Sequence, residues 1–181
     1  MDINQIIMKI KDNFFLISES RFDQITRDAG YVDSLIYLIA CIILSLPIVL
    51  VINLLSFNLI GAVLTTGIYA VMFIPIAYVL YLIQFVLLKL VGGKGSLLQS
   101  LQVFIYGDTS ALILGNLPLI GLIFGLISLA NVVVGSARIH KISLLRAILA
   151  LIVIPIVVLI ILMVILMMVL GAAFSQLASS F

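Results

Sequence analysis

The sequence predicts an all-α polytopic membrane protein: a bundle of five transmembrane helices preceded by an amphipathic N-terminal helix. Three observations carry this. Hydrophobic residues make up 65% of the 181 positions and charged residues 9%, with mean hydropathy +1.47. A soluble domain has about 25% charged residues, so this chain has too little polar surface to cover a globule and its outside must face lipid. The apolar residues form long unbroken runs rather than alternating, which selects helices over a closed barrel. Finally, all nine Lys and Arg side chains fall on one side of the membrane when the runs are threaded as five crossings.

In chain order, residues 1–33 read as a cytoplasmic N-terminal segment, 34–172 as the five-helix domain and 173–181 as a short external tail. Ile3, Ile6, Ile7, Ile10, Phe14 and Ile17 follow the three-four spacing of one helical face, with Asp2 and Gln5 as a capping pair at its start. Such a helix either lies in the headgroup plane with its apolar side down or packs on the end of the bundle. Periodicity does not separate the two, nor does it exclude a partner. A short polar helix over about Ser20–Ala29 follows, stopped by Gly30.

Helix 1 spans Leu35–Leu55, with a kink expected at Pro47 that neighbouring helices must satisfy. The turn Ser56-Phe57-Asn58 is very short. Helix 2 spans Leu59–Leu90, longer than a bilayer requires, so it should tilt, bend at Pro75 or protrude. Helices 3 and 4, Leu97–Gly115 and Pro118–Val134, form a hairpin hinged at Asn116-Leu117-Pro118. Helix 5 starts at Ser143, a good N-cap, and runs through Pro155 to Leu170. The stretch Gly92–Ala147, a glycine-rich loop, this hairpin and the basic loop Arg138-Ile139-His140-Lys141, organises the chain.

Charge placement sets the orientation. Lys9, Lys11, Arg21 and Arg27 precede helix 1. Lys89 and Lys94 flank the loop between helices 2 and 3. Arg138, Lys141 and Arg146 flank the loop between helices 4 and 5. The positive-inside bias then puts the N-terminus and both basic loops in the cytoplasm and the C-terminus outside. No cleavable signal peptide is read at the N-terminus, which leaves helix 1 as the insertion signal. The expected location is the cell membrane, or an ER or Golgi membrane in a eukaryote. The single cysteine, Cys41, excludes an intrachain disulfide.

Asp108 is the candidate centre of an intramembrane polar site. It is the one acidic residue after Asp33, near mid-depth of helix 3 in Tyr106-Gly107-Asp108-Thr109-Ser110, and ionisable groups at such depth face the bundle interior. Counting depth from the outer turn places Ser128 and Thr66 beside it, and Tyr106 completes the set. The site reads either as a proton or cation site or as a structural hydrogen bond between helices. No second ionisable group lies at its level to continue a relay. Tyr78, Tyr81 and Gln84 form a polar stripe on helix 2 that faces bundle neighbours.

No catalytic pair, cofactor site or metal site is expected. One intramembrane carboxylate does not make an aspartyl dyad. His140, the single histidine, lies in the basic loop and reads as an interfacial residue rather than a base for a serine. One Cys and one His do not make a metal site of the usual type. Gly92-Gly93-Lys94-Gly95-Ser96 fails the phosphate-loop pattern because Gly95 follows the lysine and no strand precedes it. It is a flexible turn, or a cradle in which backbone amides and Lys94 hold a lipid phosphate. Lys89, Lys94, Arg138, Lys141 and Arg146 form a basic rim that serves orientation and offers anionic headgroups or a partner a surface. Gly121 and Gly125 make a GxxxG pair for helix packing, within the bundle or in a homo-oligomer.

Three segments, GGKGSLLQSLQVFIYG, NLPLIGLIFGLISL and VGSARIHKISLLRA, resemble the Yip-domain family of Rab-GTPase-interacting membrane proteins. The likeness covers roughly Phe14–Val157. It implies a five-helix membrane domain with a cytoplasmic N-terminus. The chain departs from the family at Gly107-Asp108, where proline often follows the helix 3 tyrosine, and in having no tryptophan in helix 4. The Leu-Tyr-Gly-Pro motif of eukaryotic members is absent, so Rab binding does not carry over, and the short N-terminal region suggests a prokaryotic member.

The expected function is that of a non-enzymatic protein that organises membrane or recruits partners at its cytoplasmic face. The alternative is a small transporter, channel or lipid-moving protein using the interior around Asp108. The expected partners are the lipid bilayer, anionic headgroups, and further copies or other membrane proteins, with no nucleic acid.

Overall fold

A computed structural model describes residues 2–28 and 30–179. Among them all regular structure is helical. α1 (Ile3–Asn13) and α2 (Glu19–Asp28) precede α3 (Tyr31–Ser56) and α4 (Leu59–Leu90). α5 (Leu97–Gly107) and α6 (Thr109–Leu114) lead into α7 (Ile120–His140). α8 (Leu144–Ile148), a π-helical turn over Leu149–Val153 and α9 (Ile154–Ser179) complete the chain. Four segments are long and apolar enough to cross a membrane: Tyr31–Ser56, Leu59–Leu90, Ile120–His140 and Leu144–Met168. The expected third helix is shorter and divided, with Asp108 between α5 and α6 at ψ 4°.

The caps explain most boundaries. Gln5 N–H donates to Asp2 Oδ1 at 2.7 Å and Asp2 N–H to Gln5 Oε1 at 3.2 Å, the reciprocal box expected at the start of α1. Ser96 and Gln99 form a second such box on α5. Asn58 caps α4 by accepting from Gly61 N–H, and Ser143 caps α8. Pro47 and Pro75 sit inside helices that continue past them. Before Pro155 the chain widens into the π turn, a common accommodation of a residue that has no N–H to return. α9 continues through Ser179, beyond the Leu170 end expected for helix 5; residues 180 and 181 of the expected tail lie outside the described residues.

The core sits at the basic end, around α5. Every residue from Ser100 to Gly107 is buried, enclosed by α2, α3, α4 and α7. α3 and α4 form a hairpin whose turn lies at the other, far end. From Ile156 onward the described side chains of α9 are exposed on all sides, as expected of a helix surrounded by lipid.

The N-terminal segment docks into this core instead of only lying beside it. Ile10 packs against the core, and Ile17, Phe22 and Ile25 are part of it. Ile3 and Ile7 remain exposed. The helix expected to reach Ile17 ends at Asn13, so Ile10 packs from α1, Ile17 from the non-helical stretch beyond it, and Phe22 and Ile25 from α2. Phe22 is fully buried, a burial that contributes about 1.5–3 kcal/mol. It lies against Gly135, where an added Cβ would approach its ring to 2.7 Å.

Candidate functional site

One face of α7 holds the N-terminal segment in place. Asn131, Gly135 and Arg138 share this face by their four-three spacing. Asn131 Oδ1 accepts from Ile17 N–H at 2.9 Å, and its Nδ2 donates to Phe15 C=O at 2.8 Å. The non-helical stretch between α1 and α2 therefore has backbone groups satisfied by one buried amide. Gly135 makes room for Phe22. Arg138 Nη2 lies 2.9 Å from Asp23 Oδ2, and its Nη1 lies 3.6 Å from Glu19 Oε2. The Arg138 guanidinium hydrogen-bonded to Asp23 holds that carboxyl below its usual range.

This docking walls off a basin at the basic end, about 870 Å³ in volume, between α2, α5, α7 and α8. Glu19, Asp23, Arg27, Gln99, Arg138 and Lys141 give it polar groups of both signs, while Val134, Ile139 and Leu144 supply apolar wall. Lys141 closes α7 in the left-handed conformation, φ 53°, and is exposed.

The glycine loop is explained by His140. The expected interfacial histidine is instead fully buried. Its Nε2 lies 2.7 Å from Ser100 Oγ, and its carbonyl accepts from Lys94 N–H at 3.0 Å. A Cβ on Gly93 would collide with the imidazole, and one on Gly95 would come within 3.1 Å of it. Gly92 adopts φ +92°, which favours glycine. The loop is thus a close backbone cover over a buried ring. Ser100 and His140 have the spacing of a nucleophile and base, but are 1% and 0% exposed. The contact ties α5 to α7.

The expected basic rim divides. Arg138 is committed to α2. Lys141 borders the basin. Lys89 lies over the Phe85 ring at 5.4 Å, and Arg146 lies against Gly92. Lys94 is exposed on the loop.

Asp108 has a different partner from those expected. Tyr81 Oη donates to Asp108 Oδ2 at 3.2 Å, and the Tyr81 ring stacks on Phe104 at 5.4 Å. Thr66 accepts from Asn53 Nδ2 at 3.1 Å. It lies fifteen residues before Tyr81 on α4, about 22 Å along the axis. The depth count misplaced Thr66 because the α5–α6 limb is shorter than α4, whereas Ser128 does lie beside the residues that follow Asp108. Ser128 hydrogen-bonds to Ser110 Oγ and Ala111 N–H, both at 3.0 Å, tying α6 to α7. The Tyr106 ring lies tilted against Tyr37, with centroids 4.3 Å apart, and Lys9 Nζ sits 5.7 Å from its centroid. Asp108 and Tyr81, with Gln84, border a lateral cavity of about 230 Å³ between α4 and the α5–α6 limb.

Within the chain the expected GxxxG glycines do not share one packing contact. Gly121 is required because a Cβ there would strike the Gly115 carbonyl in the turn between α6 and α7. Gly125 has open space before it. Asn131, Gly135 and Ser100 were not singled out from the sequence. An asparagine within an apolar helix was the available signal for the first.

Long apolar helices around a small buried core, with charge gathered at one end, define a polytopic helical membrane protein. The Yip1 domain family model matches residues 14–167, and the chain belongs to that family. No curated protein and no solved structure matches it. The expectation of a prokaryotic source gains no support from the family match.

Proposed function

We propose that this Yip1-domain protein recruits a cytosolic protein to the membrane through the basin at its basic end, without catalysing a reaction. The basin itself supports this reading: about 870 Å³ of concave surface, walled by a helix that α7 fixes in place. Its lining mixes Glu19 and Asp23 with Arg27 and Lys141. Such a mixture suits a protein surface better than nucleic acid, whose phosphates call for one sign of charge. The positive-inside bias supports a cytoplasmic position for this end. Lys89, Lys94 and Arg146 lie beyond the basin and add attraction to anionic headgroups, about 1 kcal/mol each.

The test places a photoreactive residue at Gln99, which is partly buried in the basin wall, in native membranes. A protein adduct that disappears in the Arg138→Ala variant is the expected result. Adducts confined to lipid, or insensitive to Arg138→Ala, would count against recruitment at this surface. Tag accessibility gives an independent check: the N-terminus and the Lys141–Ser143 turn after α7 should be reached only from the cytosolic side.

A further inference from the structure

The cavity beside Asp108 differs from the rest of the lipid-facing surface. Phe73, Ile76, Leu80 and Leu112 form an apolar channel, and Ile76 and Leu80 at its mouth are 51% and 52% exposed. The groove therefore opens sideways, toward the bilayer. Its inner wall carries oxygen acceptors. Asp108 accepts from Tyr81 through Oδ2. Gln84 Oε1 is buried and has no hydrogen-bond partner. A buried acceptor without a donor is unfavourable by about 1–3 kcal/mol, and hydrocarbon does not supply a donor.

From these features we infer that the groove binds a phosphate-free lipid alcohol, of the diacylglycerol type, with its hydroxyl donating to Gln84 or Asp108 and its chain along Phe73, Ile76 and Leu80. Three features select this class. The buried atom without a partner is the acceptor Gln84 Oε1, so a ligand that satisfies it brings a donor. Among the described residues lining the groove there is no Lys or Arg, which phosphate recognition calls for. Gln84 and Asp108 lie about 9 and 17 Å along their helices from the basic ends of α4 and α5, deeper than a phospholipid headgroup rides but within reach of a lone hydroxyl. The volume, about 230 Å³, admits a glycerol hydroxyl and the start of a chain but not a large head.

The experiment uses the full chain in phosphatidylcholine nanodiscs with two photoreactive probes, a diacylglycerol and a phosphatidylcholine carrying the same reactive chain. Peptide mapping should show the diacylglycerol probe enriched on Phe73–Gln84 and Asp108–Leu112, with competition by unlabelled diacylglycerol. Gln84→Leu removes the unpartnered acceptor and should weaken that labelling about threefold to tenfold. Leu80→Trp, at an exposed position that does not disturb the core, should block the mouth and reduce labelling by a similar factor. Equal labelling by both probes would overturn the proposal. So would labelling unchanged in both variants. A photoreactive residue at position 80 that captures a second copy of the chain would reassign the groove to oligomerisation. None of these outcomes bears on the basin at the basic end, so failure here is distinguishable from failure of the recruitment reading.

Discussion

Replacing Asn131 with leucine should detach the N-terminal segment from the bundle while leaving the bundle folded. The side chain is buried, accepts from Ile17 N–H at 2.9 Å and donates to Phe15 C=O at 2.8 Å. Leucine matches its size and offers neither group. Ile17 is 6% exposed, so its amide would be left unpaired away from water. One such group is unfavourable by about 1–3 kcal/mol, and the Phe15 carbonyl, less buried, adds a smaller amount. The segment's opening free energy should therefore fall by about 2–4 kcal/mol, or about 30-fold to 700-fold in the opening constant. Hydrogen exchange in nanodiscs reads this directly. Exchange at Ile17 and in α2 should accelerate by that factor, while α5, enclosed by four other helices, should keep its protection. Unchanged exchange at Ile17 would refute the reasoning. Equal acceleration in α5 would show that Asn131 supports the whole bundle rather than the attachment of one segment.

The remaining predictions concern glycines and pH. Gly121→Ala should destabilise the protein by about 1–3 kcal/mol through collision with the Gly115 carbonyl, whereas Gly125→Ala, facing open space, should stay within about 0.5 kcal/mol. Thermal unfolding in one detergent compares them, and equal losses would restore the paired packing motif. Gly93→Ala should lower the unfolding temperature because its methyl meets His140 and the Leu88 carbonyl; an unchanged temperature would mean that the loop does not cover the ring closely. Asp23 is held below its unfolded pKa by Arg138, so its contribution is complete above the unfolded value of about 3.9. The contribution is lost as pH falls through the folded value. Proteolysis at the junction of α1 and α2 should increase across that acidic window in the wild type and show a weaker pH response in Asp23→Asn.

Much of the architecture was legible in the sequence because it is local. The pairing of Asp2 with Gln5, the cap at Ser143 and the short turn before Leu59 follow from residue types within a few positions of each other. The five apolar segments follow from composition. What was not legible joins residues far apart in sequence. Asn131 meets Ile17 across 114 positions, and His140 meets Ser100 across 40. The partner of Asp108 depends on how far the α5–α6 limb slides along α4, which hydropathy does not encode. The isoleucines of α1 show the limit well. Their spacing gives neither the end of the helix nor its cover: α1 stops at Asn13, Ile17 is buried from the stretch beyond it, and Ile3 is 74% exposed.

The position of the core also bears on function. At the basic end α5 is enclosed, and a single stretch of α7, from Asn131 to His140, anchors the N-terminal segment, accommodates Phe22, pairs with α2 and supports the glycine loop. Toward the far end, and along α9, side chains face outward, so lipid rather than protein supplies the neighbours. Shape that must be held constant for a partner is best built where packing is densest. The basin lies in that half, with one wall fixed by three separate α7 contacts. The groove at Asp108 lies farther from that end, beside the interruption between α5 and α6, as suits a site that a lipid would enter sideways.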